Sequence, residues 1–180
     1  SDLLPQLSQD DFKKIEQEAE QVNIRLEEQL RSYYFSGKDS RTIGYICART
    51  IKCEGVSCGL EYPLLSTPWV SKVKDNTVCY AFKKGINSVE VDLIFSPKIE
   101  QVPERTVNRG NATCPICHHK TSNKSVKRQL SLKSGGSLDS RLLVVIDVHN
   151  TGRGRSYRKP SLEEIKIRNS ALSMLKELET

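Results

Sequence analysis

Four of the six cysteines fall in two close pairs whose spacing is typical of metal ligands. Cys53 and Cys58 are separated by four residues, and Cys114 and Cys117 by two. Both spacings lie in the range found in structural zinc sites, where a tight turn presents two thiolates to one ion. Soft sulfur ligands favour zinc, although a site of four sulfurs also accepts iron. The pattern therefore predicts a structural zinc ion bound by Cys53, Cys58, Cys114 and Cys117.

A site closed by four thiolates has no free position for water, so its predicted role is to hold the fold. Metal binding at such a site contributes on the order of 10 kcal/mol to folding. This contribution matters in a chain that is only 6% aromatic. The long separation between Cys58 and Cys114 indicates a zinc ribbon whose two knuckles bracket an inserted β-meander.

Other chemistries for the cysteines are weaker. The C-x-x-C-H pattern at residues 114–118 also matches covalent haem attachment, which is typical of exported proteins. The first residues, SDLLPQLSQDD, do not resemble a secretory leader, so we expect neither haem nor a disulfide framework. A thioredoxin-like redox pair would need a βαβ unit, which the pattern lacks. His118 or His119 stays open as a replacement ligand, and Cys47 and Cys79 lie in apolar segments where thiols are usually buried and inert.

Two amphipathic helices are predicted at the ends of the chain. Over residues 9–35, apolar side chains recur every three or four positions, and Ser8 with Asp11 resembles a capping box. Residues 161–178 open with S-x-x-E, a complete capping box, and continue with a second apolar stripe. The two stripes are predicted to bury each other as a stalk, with separate packing on the sheet as the alternative.

The middle of the chain is predicted to be a β domain of short strands separated by turns. Its most apolar strand, LLVVIDV at residues 142–148, is expected to be central. The polar, basic stretch at residues 122–140 is predicted to be a mobile loop. The expected fold is α+β: a zinc-ribbon with an antiparallel β-meander at residues 41–159, flanked by N- and C-terminal amphipathic helices at 1–40 and 160–180.

Basic residues are concentrated in the second half of the chain. The net charge is +6, but residues 105–159 contain twelve Lys or Arg and only two acidic residues. Such asymmetry indicates a face that meets nucleic acid, and the alternative is a solvated face without a partner. The candidate nucleic-acid contacts are Arg109, Lys120, Lys124, Lys127, Arg128, Arg153, Arg155, Arg158 and Lys159. The TGRGR stretch at 151–155 could approach a phosphate or simply turn between two strands.

Several functions are not expected of this chain. No apolar run approaches the ~20 residues that span a bilayer, so we predict no membrane segment and a cytoplasmic location. The sequence has no G-x-G-x-x-G, phosphate loop or H-E-x-x-H. The three histidines lack a recognisable nucleophile partner, and His149 is expected simply to end a strand. No catalytic residue is therefore predicted.

Segments throughout the chain resemble one family in their order and spacing. They are ARTIKC (48–53), CG (58–59), PLL (63–65), WVSK (69–72), TVNRGNATCPIC (106–117), LLVV (142–145) and GRGRSYR (152–158). Over about residues 42–163 the chain resembles the zinc-ribbon region of large bacterial and archaeal adenine-specific DNA methylases. In that family the ribbon is an insertion between the two halves of a methyltransferase domain that uses S-adenosylmethionine.

The resemblance implies an accessory module of the methyltransferase. Methylases that act on an exocyclic amine hold the flipped base with a D/N-P-P-Y/F motif, and this chain has none. The family's glycine-rich cofactor motif is also absent, so S-adenosylmethionine would belong only to the parent enzyme. The implied partners are DNA, contacted through its backbone, and the catalytic methyltransferase domain. The alternatives are a free-standing zinc ribbon that binds nucleic acid and a protein-docking module.

Overall fold

The chain divides into two compact units, Ser1–Ser36 and Gly37–Thr180. The computed structural model describes residues 8–30, 40–133, 135, 139–149 and 154–178. In chain order the elements are α1 (Gln9–Leu30), β1 (Ser40–Lys52), β2 (Glu61–Pro63), β3 (Trp69–Val73), β4 (Asn76–Lys84), β5 (Val89–Phe95), β6 (Val107–Asn108), β7 (Asn111–Thr113), β8 (Lys120–Thr121), α2 (Asn123–Ser131), β9 (Ser140–His149), β10 (Arg155–Arg158) and α3 (Leu162–Leu178). The helix predicted at 160–180 therefore shares a unit with the strands, and the stalk of paired terminal helices stays a prediction.

The N-terminal helix α1 begins where the sequence predicts, and its predicted end at residue 35 lies outside the described residues. Its capping box forms, because the backbone N–H and the hydroxyl of Ser8 both donate to the Asp11 carboxylate, at 2.9 and 2.6 Å. The Asp11 N–H donates back to Ser8 Oγ at 3.2 Å. These bonds hold the pKa of Asp11 below its usual value. No residue of α1 is buried.

The second unit is α+β with antiparallel sheets, as predicted. Its largest sheet has the strand order β10-β9-β1-β2. The LLVVIDV strand is central, since β9 lies between β1 and β10, and residues 142–145 are buried. His149 is the last residue of β9. The strand is apolar on both faces because it is covered on both of them.

A three-stranded meander, β3-β4-β5, lies between the two cysteine pairs in the sequence. All of its pairings are antiparallel, and β3 turns into β4 through Asp75, which has a φ of 63°. The predicted β-meander insertion is thus confirmed. A third sheet, β6-β7-β8, is also antiparallel and carries the second cysteine pair at the turn between β7 and β8.

The buried side chains form two cores. The first surrounds the cysteine pairs and consists of Ile51, Cys53, Leu60, Tyr62, Val89, Ala112, Cys114 and Val126. The second joins the four-stranded sheet to the meander and consists of Ala48, Leu65, Val78, Tyr80, Leu143, Val144 and Tyr157. Because two cysteines are members of the first core, the metal ligands and the hydrophobic packing there depend on each other.

The predicted mobile loop at residues 122–140 is wrong in its first half, because Asn123–Ser131 is the helix α2. Ser122 caps the helix by accepting a hydrogen bond from the Ser125 N–H at 3.3 Å. Val126 is only 4% exposed and anchors the helix in the first core. The polar, serine-rich composition of the segment hides a short amphipathic helix, whose apolar side chains Val126 and Leu130 are four residues apart and pack on the first core.

The C-terminal helix α3 begins with the predicted capping box. The Ser161 N–H donates to the Glu164 carboxylate at 2.7 Å, and the Glu164 N–H donates to Ser161 Oγ at 3.1 Å.

Among the helices in the described part of the chain, none combines the length and apolarity needed to cross a membrane.

Candidate metal centre

Each cysteine pair occupies the turn of an antiparallel hairpin. Cys53 directly follows β1 and Cys58 precedes β2, which pairs with β1. Cys114 directly follows β7 and Cys117 precedes β8, which pairs with β7. The hairpins fix the positions of the first cysteines on strand ends, and the turns bring the second cysteines back beside them.

The two turns are closed by equivalent backbone hydrogen bonds. The Cys53 N–H donates to the carbonyl of Leu60 at 2.9 Å, and the Cys114 N–H donates to that of His119 at 3.0 Å. In both turns the acceptor lies two residues after the second cysteine. The spacing of four residues in one pair and two in the other therefore produces the same closure.

The four sulfurs meet at one point. Their Sγ atoms all lie within 4.8 Å of one another, with 3.4 Å between Cys53 and Cys117 and 3.9 Å between Cys58 and Cys114. Four sulfurs placed tetrahedrally at ~2.3 Å from a zinc ion would be about 3.8 Å apart. A disulfide requires about 2.05 Å, and all four cysteines are free thiols. The four predicted ligands are thus brought together in a cluster that can hold one metal ion.

Backbone N–H groups point at the sulfurs from within the turns. The Gly55 N–H donates to Cys53 Sγ at 3.4 Å. The backbone N–H groups of Cys117 and Ile116 act to lower the pKa of Cys114, and the backbone N–H of His119 acts to lower that of Cys117. Such donors orient the ligands and stabilise negative charge on thiolate sulfur, as in the outer shell of protein metal sites.

Burial and these donors act in opposite directions on the thiols. Burial raises the pKa values of Cys53 and Cys114 above their usual value, although backbone donors partly oppose it. Desolvation also acts to raise the pKa of Cys117, but the His119 N–H and the neighbouring thiols outweigh it and the pKa is lowered. Metal ligands must be thiolates, so binding an ion would displace the protons of the buried cysteines.

The cluster is apolar on one side and open on the other. Cys53 and Cys114 are buried in the first core, Cys58 is half-buried and Cys117 is exposed. Gly55 lies against the cluster, where a Cβ would be 3.4 Å from the sulfurs of both Cys53 and Cys117. A Cβ at this position would also be 3.2 Å from the Cβ of His119, so a side chain here would require His119 or the turn to shift by a few tenths of an ångström.

The other candidate ligands are not part of the cluster. Within the described residues, the group of metal-binding side chains contains the four cysteines and neither His118 nor His119. Cys79 is buried as expected, and burial raises its pKa. Cys47 was expected to be buried but is exposed. Cys47 precedes the buried Ala48 on β1, and successive side chains of a strand point to opposite faces of the sheet. A run of apolar residues does not show which of these faces is exposed to solvent.

Helix α2 supports the first turn through polar contacts. Gln129 donates to the Lys52 carbonyl at 3.1 Å and accepts from the Lys52 N–H at 2.8 Å. Arg128 forms an ion pair with Glu54 at 3.0 Å, and the Ser125 hydroxyl also donates to that carboxylate. The bond from Ser125 is the main cause of the lowered pKa of Glu54. Arg128, a candidate nucleic-acid contact, is thus already paired beside the cysteines.

Four candidate contacts lie on the sheet or helix adjoining the cysteines and are exposed. They are Arg109, in the turn between β6 and β7, Lys120 on β8, and Lys124 and Lys127 on α2. Among the described residues, none of these four forms an ion pair. Their charges are therefore available to an anionic partner.

Three of the remaining candidates, Arg155, Arg158 and Lys159, lie on or next to β10, on a different sheet. Arg155 is exposed, and Lys159 pairs with Asp92 at 3.3 Å. The Arg158 guanidinium is held by Asp147 at 2.6 Å and by both oxygens of Glu164 at 2.7 Å. Arg158 therefore joins β10 to α3 and β9. Arg153 and the rest of residues 150–153 lie outside the described residues.

The chain matches no protein-family model, no curated protein and no solved structure.

Proposed function

We propose that the chain is a zinc-ribbon module that contacts nucleic acid and serves as an accessory part of an adenine-specific DNA methyltransferase. The observation that carries the proposal is the convergence of four cysteine sulfurs within 4.8 Å from two separate hairpin turns. Four thiolates in a closed, tetrahedral arrangement favour zinc over hard cations. No position remains for water or substrate, so the role of the ion is structural.

The metal would join two hairpins that are far apart in the sequence. The turn of β1 and β2 and the turn of β7 and β8 are separated by the whole meander. Fixing them to one ion stabilises the first core, on the order of 10 kcal/mol for a zinc site of this kind. The same ion would fix the position of Lys120, the first residue of β8 after the second turn.

Contact with nucleic acid is supported by the exposed cations beside the metal site. Arg109, Lys120, Lys124 and Lys127 form no ion pair within the described part of the chain. Lysine and arginine side chains of this kind contact phosphate oxygens, which positions a protein on DNA without reading its sequence. We leave out Arg158, because its guanidinium is bound by two carboxylates.

The methyltransferase assignment is supported by the sequence resemblance. The base-binding D/N-P-P-Y/F motif is absent from the chain, so the parent enzyme would supply the catalytic residues and S-adenosylmethionine. Calorimetry with S-adenosylmethionine and a methyl-transfer assay on DNA test this division. We expect neither binding nor turnover by the chain alone, and appreciable turnover would contradict an accessory role.

Metal analysis tests the core of the proposal. The chain is purified without added metal, and its metal content is measured by mass spectrometry together with the protein concentration. We expect one tightly bound zinc per chain. A stoichiometry near zero in folded protein would overturn the zinc-ribbon proposal.

A further inference from the structure

A polar groove of about 710 Å³ lies between the segment that leads into β3 and the segment that leads into β6. Its size falls within the range of about 300–1,000 Å³ that is usual for small-ligand sites. The lining includes Trp69, Lys72, Glu104, Arg105, Asn108 and Lys120. Only Lys120 is among the basic residues that the sequence singles out.

The groove combines an aromatic ring with several cations. Trp69 is half-buried, and the Lys72 ammonium lies 5.7 Å from the centroid of its ring. Lys72, Arg105 and Lys120 are exposed, and none of them forms an ion pair within the described residues. Among the described residues of the lining, Glu104 is the one acidic residue. A tryptophan ring with the Lys72 ammonium over it and two further cations in the same groove provides the stacking surface and the positive charge that bind single-stranded nucleic acid.

The two walls of the groove are held together by Thr106, which is 1% exposed. Its hydroxyl donates to the Pro63 carbonyl at 2.6 Å and accepts from the Leu65 N–H at 2.7 Å. The backbone N–H groups of Thr106 and Val107 both donate to the Leu65 carbonyl, at 3.0 and 3.1 Å. These bonds fix the spacing of the walls before any ligand binds, which lowers the entropy lost on binding.

The backbone around Trp69 is also fixed. The Tyr80 N–H donates to the Pro68 carbonyl at 2.9 Å, which ties the start of β3 to β4. A register shift follows, because Trp69 is opposite Cys79 while Ser71 is opposite Val78. The extra residue is a β-bulge, a feature that redirects neighbouring side chains and is common beside functional sites.

The opposite wall is continuous with the cysteine cluster. Thr113, which also lines the groove, directly precedes Cys114, and Lys120 directly follows His119. The turn between them is closed by the bond from the Cys114 N–H to the His119 carbonyl. A metal ion on the cysteines would therefore order this wall as well.

We propose that this groove binds single-stranded DNA, with a base stacked on Trp69 and phosphates beside Lys72, Arg105 and Lys120. The inference rests on the nucleic-acid contact proposed above and gives it a location and a form of ligand. A single strand is favoured because stacking on an indole requires a base face that a duplex covers. Stacking of this kind tolerates any base, so little sequence preference is expected.

The single tryptophan of the chain makes the test direct. The zinc-loaded chain is titrated with a short oligo(dT) at low salt, while intrinsic fluorescence and the anisotropy of the labelled oligonucleotide are recorded in parallel. We expect saturable quenching of Trp69 emission with the same midpoint as the anisotropy. A blunt-ended duplex of equal length is expected to bind without this quenching.

Variants separate the groove from other basic surfaces. Trp69→Ala is expected to weaken binding about tenfold, the equivalent of one stacked base, whereas Trp69→Phe retains most of the affinity. Replacing Lys72 or Arg105 with Gln weakens binding, and the control Lys84→Gln, an exposed residue at the end of β4, does not. Equal zinc content and circular dichroism identify variants that fold normally.

The failure of the groove proposal is distinguishable from the failure of the proposed function. Binding seen by anisotropy without quenching, or undiminished in folded Trp69→Ala protein, overturns the groove as the site but leaves nucleic-acid contact intact. Absence of binding to oligo(dT) and duplex alike, even at low salt, overturns both.

Discussion

Gly59 and His118 adopt the same left-handed backbone conformation, each with a φ of 59°, directly after the second cysteine of its pair. Both residues lie within turns closed by equivalent backbone bonds, from Cys53 to Leu60 and from Cys114 to His119. The two turns are therefore alike in backbone although their sequences differ. Glycine adopts this φ freely, whereas a residue with a Cβ is strained by it.

Substitutions at these two positions are predicted to act in opposite directions. Gly59→Ala destabilises the protein by about 1 kcal/mol, because it introduces the left-handed strain of a side chain. No atom lies within 4 Å of a Cβ at Gly59, so the effect is one of the backbone alone. His118→Gly removes the same strain and is expected to stabilise the protein. The gain is smaller than the loss caused by Gly59→Ala, because glycine also gains conformational freedom in the unfolded chain. Urea unfolding at a fixed concentration of free zinc measures the free energy of unfolding of both variants. A change of the same sign in the two variants contradicts the prediction.

Loss of one cysteine ligand is predicted to unfold the second unit. Cys114 is 0% exposed and belongs to the first core, so Cys114→Ser removes a ligand and leaves a polar group in its place. A zinc site contributes on the order of 10 kcal/mol, about as much as the whole stability of a typical domain. We expect the variant to lose its metal and its near-ultraviolet circular dichroism. The matched control is Cys47→Ser, an exposed thiol outside the cluster, which keeps one metal ion.

The metal ligands and the helix caps could be predicted from the sequence because their signals are local. Two cysteines a few residues apart must share a turn, and Ser161 with Glu164 needs only one helical turn to meet. The central position of β9 was also predictable, because a strand with five consecutive apolar residues, 142–146, has to be covered on both faces.

Features that depend on distant partners could not be predicted in this way. Arg158 belongs to a basic stretch, and nothing in that stretch shows that its guanidinium meets Asp147 and Glu164. Helix α2 is stable because Val126 reaches the first core, which is built mostly from other parts of the chain. The groove beside Trp69 exists because Thr106 joins segments about forty residues apart. Long-range contacts of this kind leave no periodic trace in sequence.

The ion pair between the buried Glu164 carboxylate and Arg158 is predicted to make the stability of the protein depend on pH. Glu164 is 4% exposed and accepts two hydrogen bonds from Arg158 and one from the Ser161 N–H. Burial acts to raise the pKa of Glu164, but these bonds and the charge of Arg158 outweigh it and lower the pKa. The native state is therefore stabilised above the unfolded-state pKa of about 4.3, and this contribution is lost as pH falls through the lower native value.

Glu164→Gln measures this contribution. At pH 7 the variant is expected to be less stable by about 2 kcal/mol, because Arg158 loses the buried Glu164 carboxylate but keeps Asp147 and is partly exposed to solvent. The difference between the two proteins should begin to shrink as pH falls through about 4.3, where the carboxyl of the unfolded chain becomes protonated, and should disappear below the lowered native pKa, where the folded wild-type protein is protonated as well. Acid release of metal affects both proteins and cancels in the comparison. Glu163→Gln, an exposed neighbour on the same helix turn, is the control and should show little change. A difference in stability between the wild-type protein and Glu164→Gln that stays constant with pH contradicts the predicted role of the Glu164 carboxylate.

The exposed cations beside the metal site are predicted to bind duplex DNA through its phosphates. Each phosphate neutralised contributes about −0.9 to the slope of log affinity against log salt, so contacts by Arg109, Lys120, Lys124 and Lys127 together give a slope near −4. Such contacts carry no sequence information, and Kd should be on the order of 10⁻⁴–10⁻⁶ M at physiological salt. Replacing Lys124 and Lys127 with Gln removes two contacts and should bring the slope to about −2 for every duplex sequence tested.

Anisotropy titrations of the zinc-loaded chain at several salt concentrations measure this slope. The matched control is the double replacement of Lys13 and Lys14 with Gln on α1, which removes the same charge from exposed positions in the other unit. The control lowers the net charge equally, so a general effect of charge would change both slopes alike. A slope that changes only in the α2 variant therefore assigns the phosphate contacts to α2. An unchanged slope in that variant places those contacts elsewhere on the chain and contradicts the prediction.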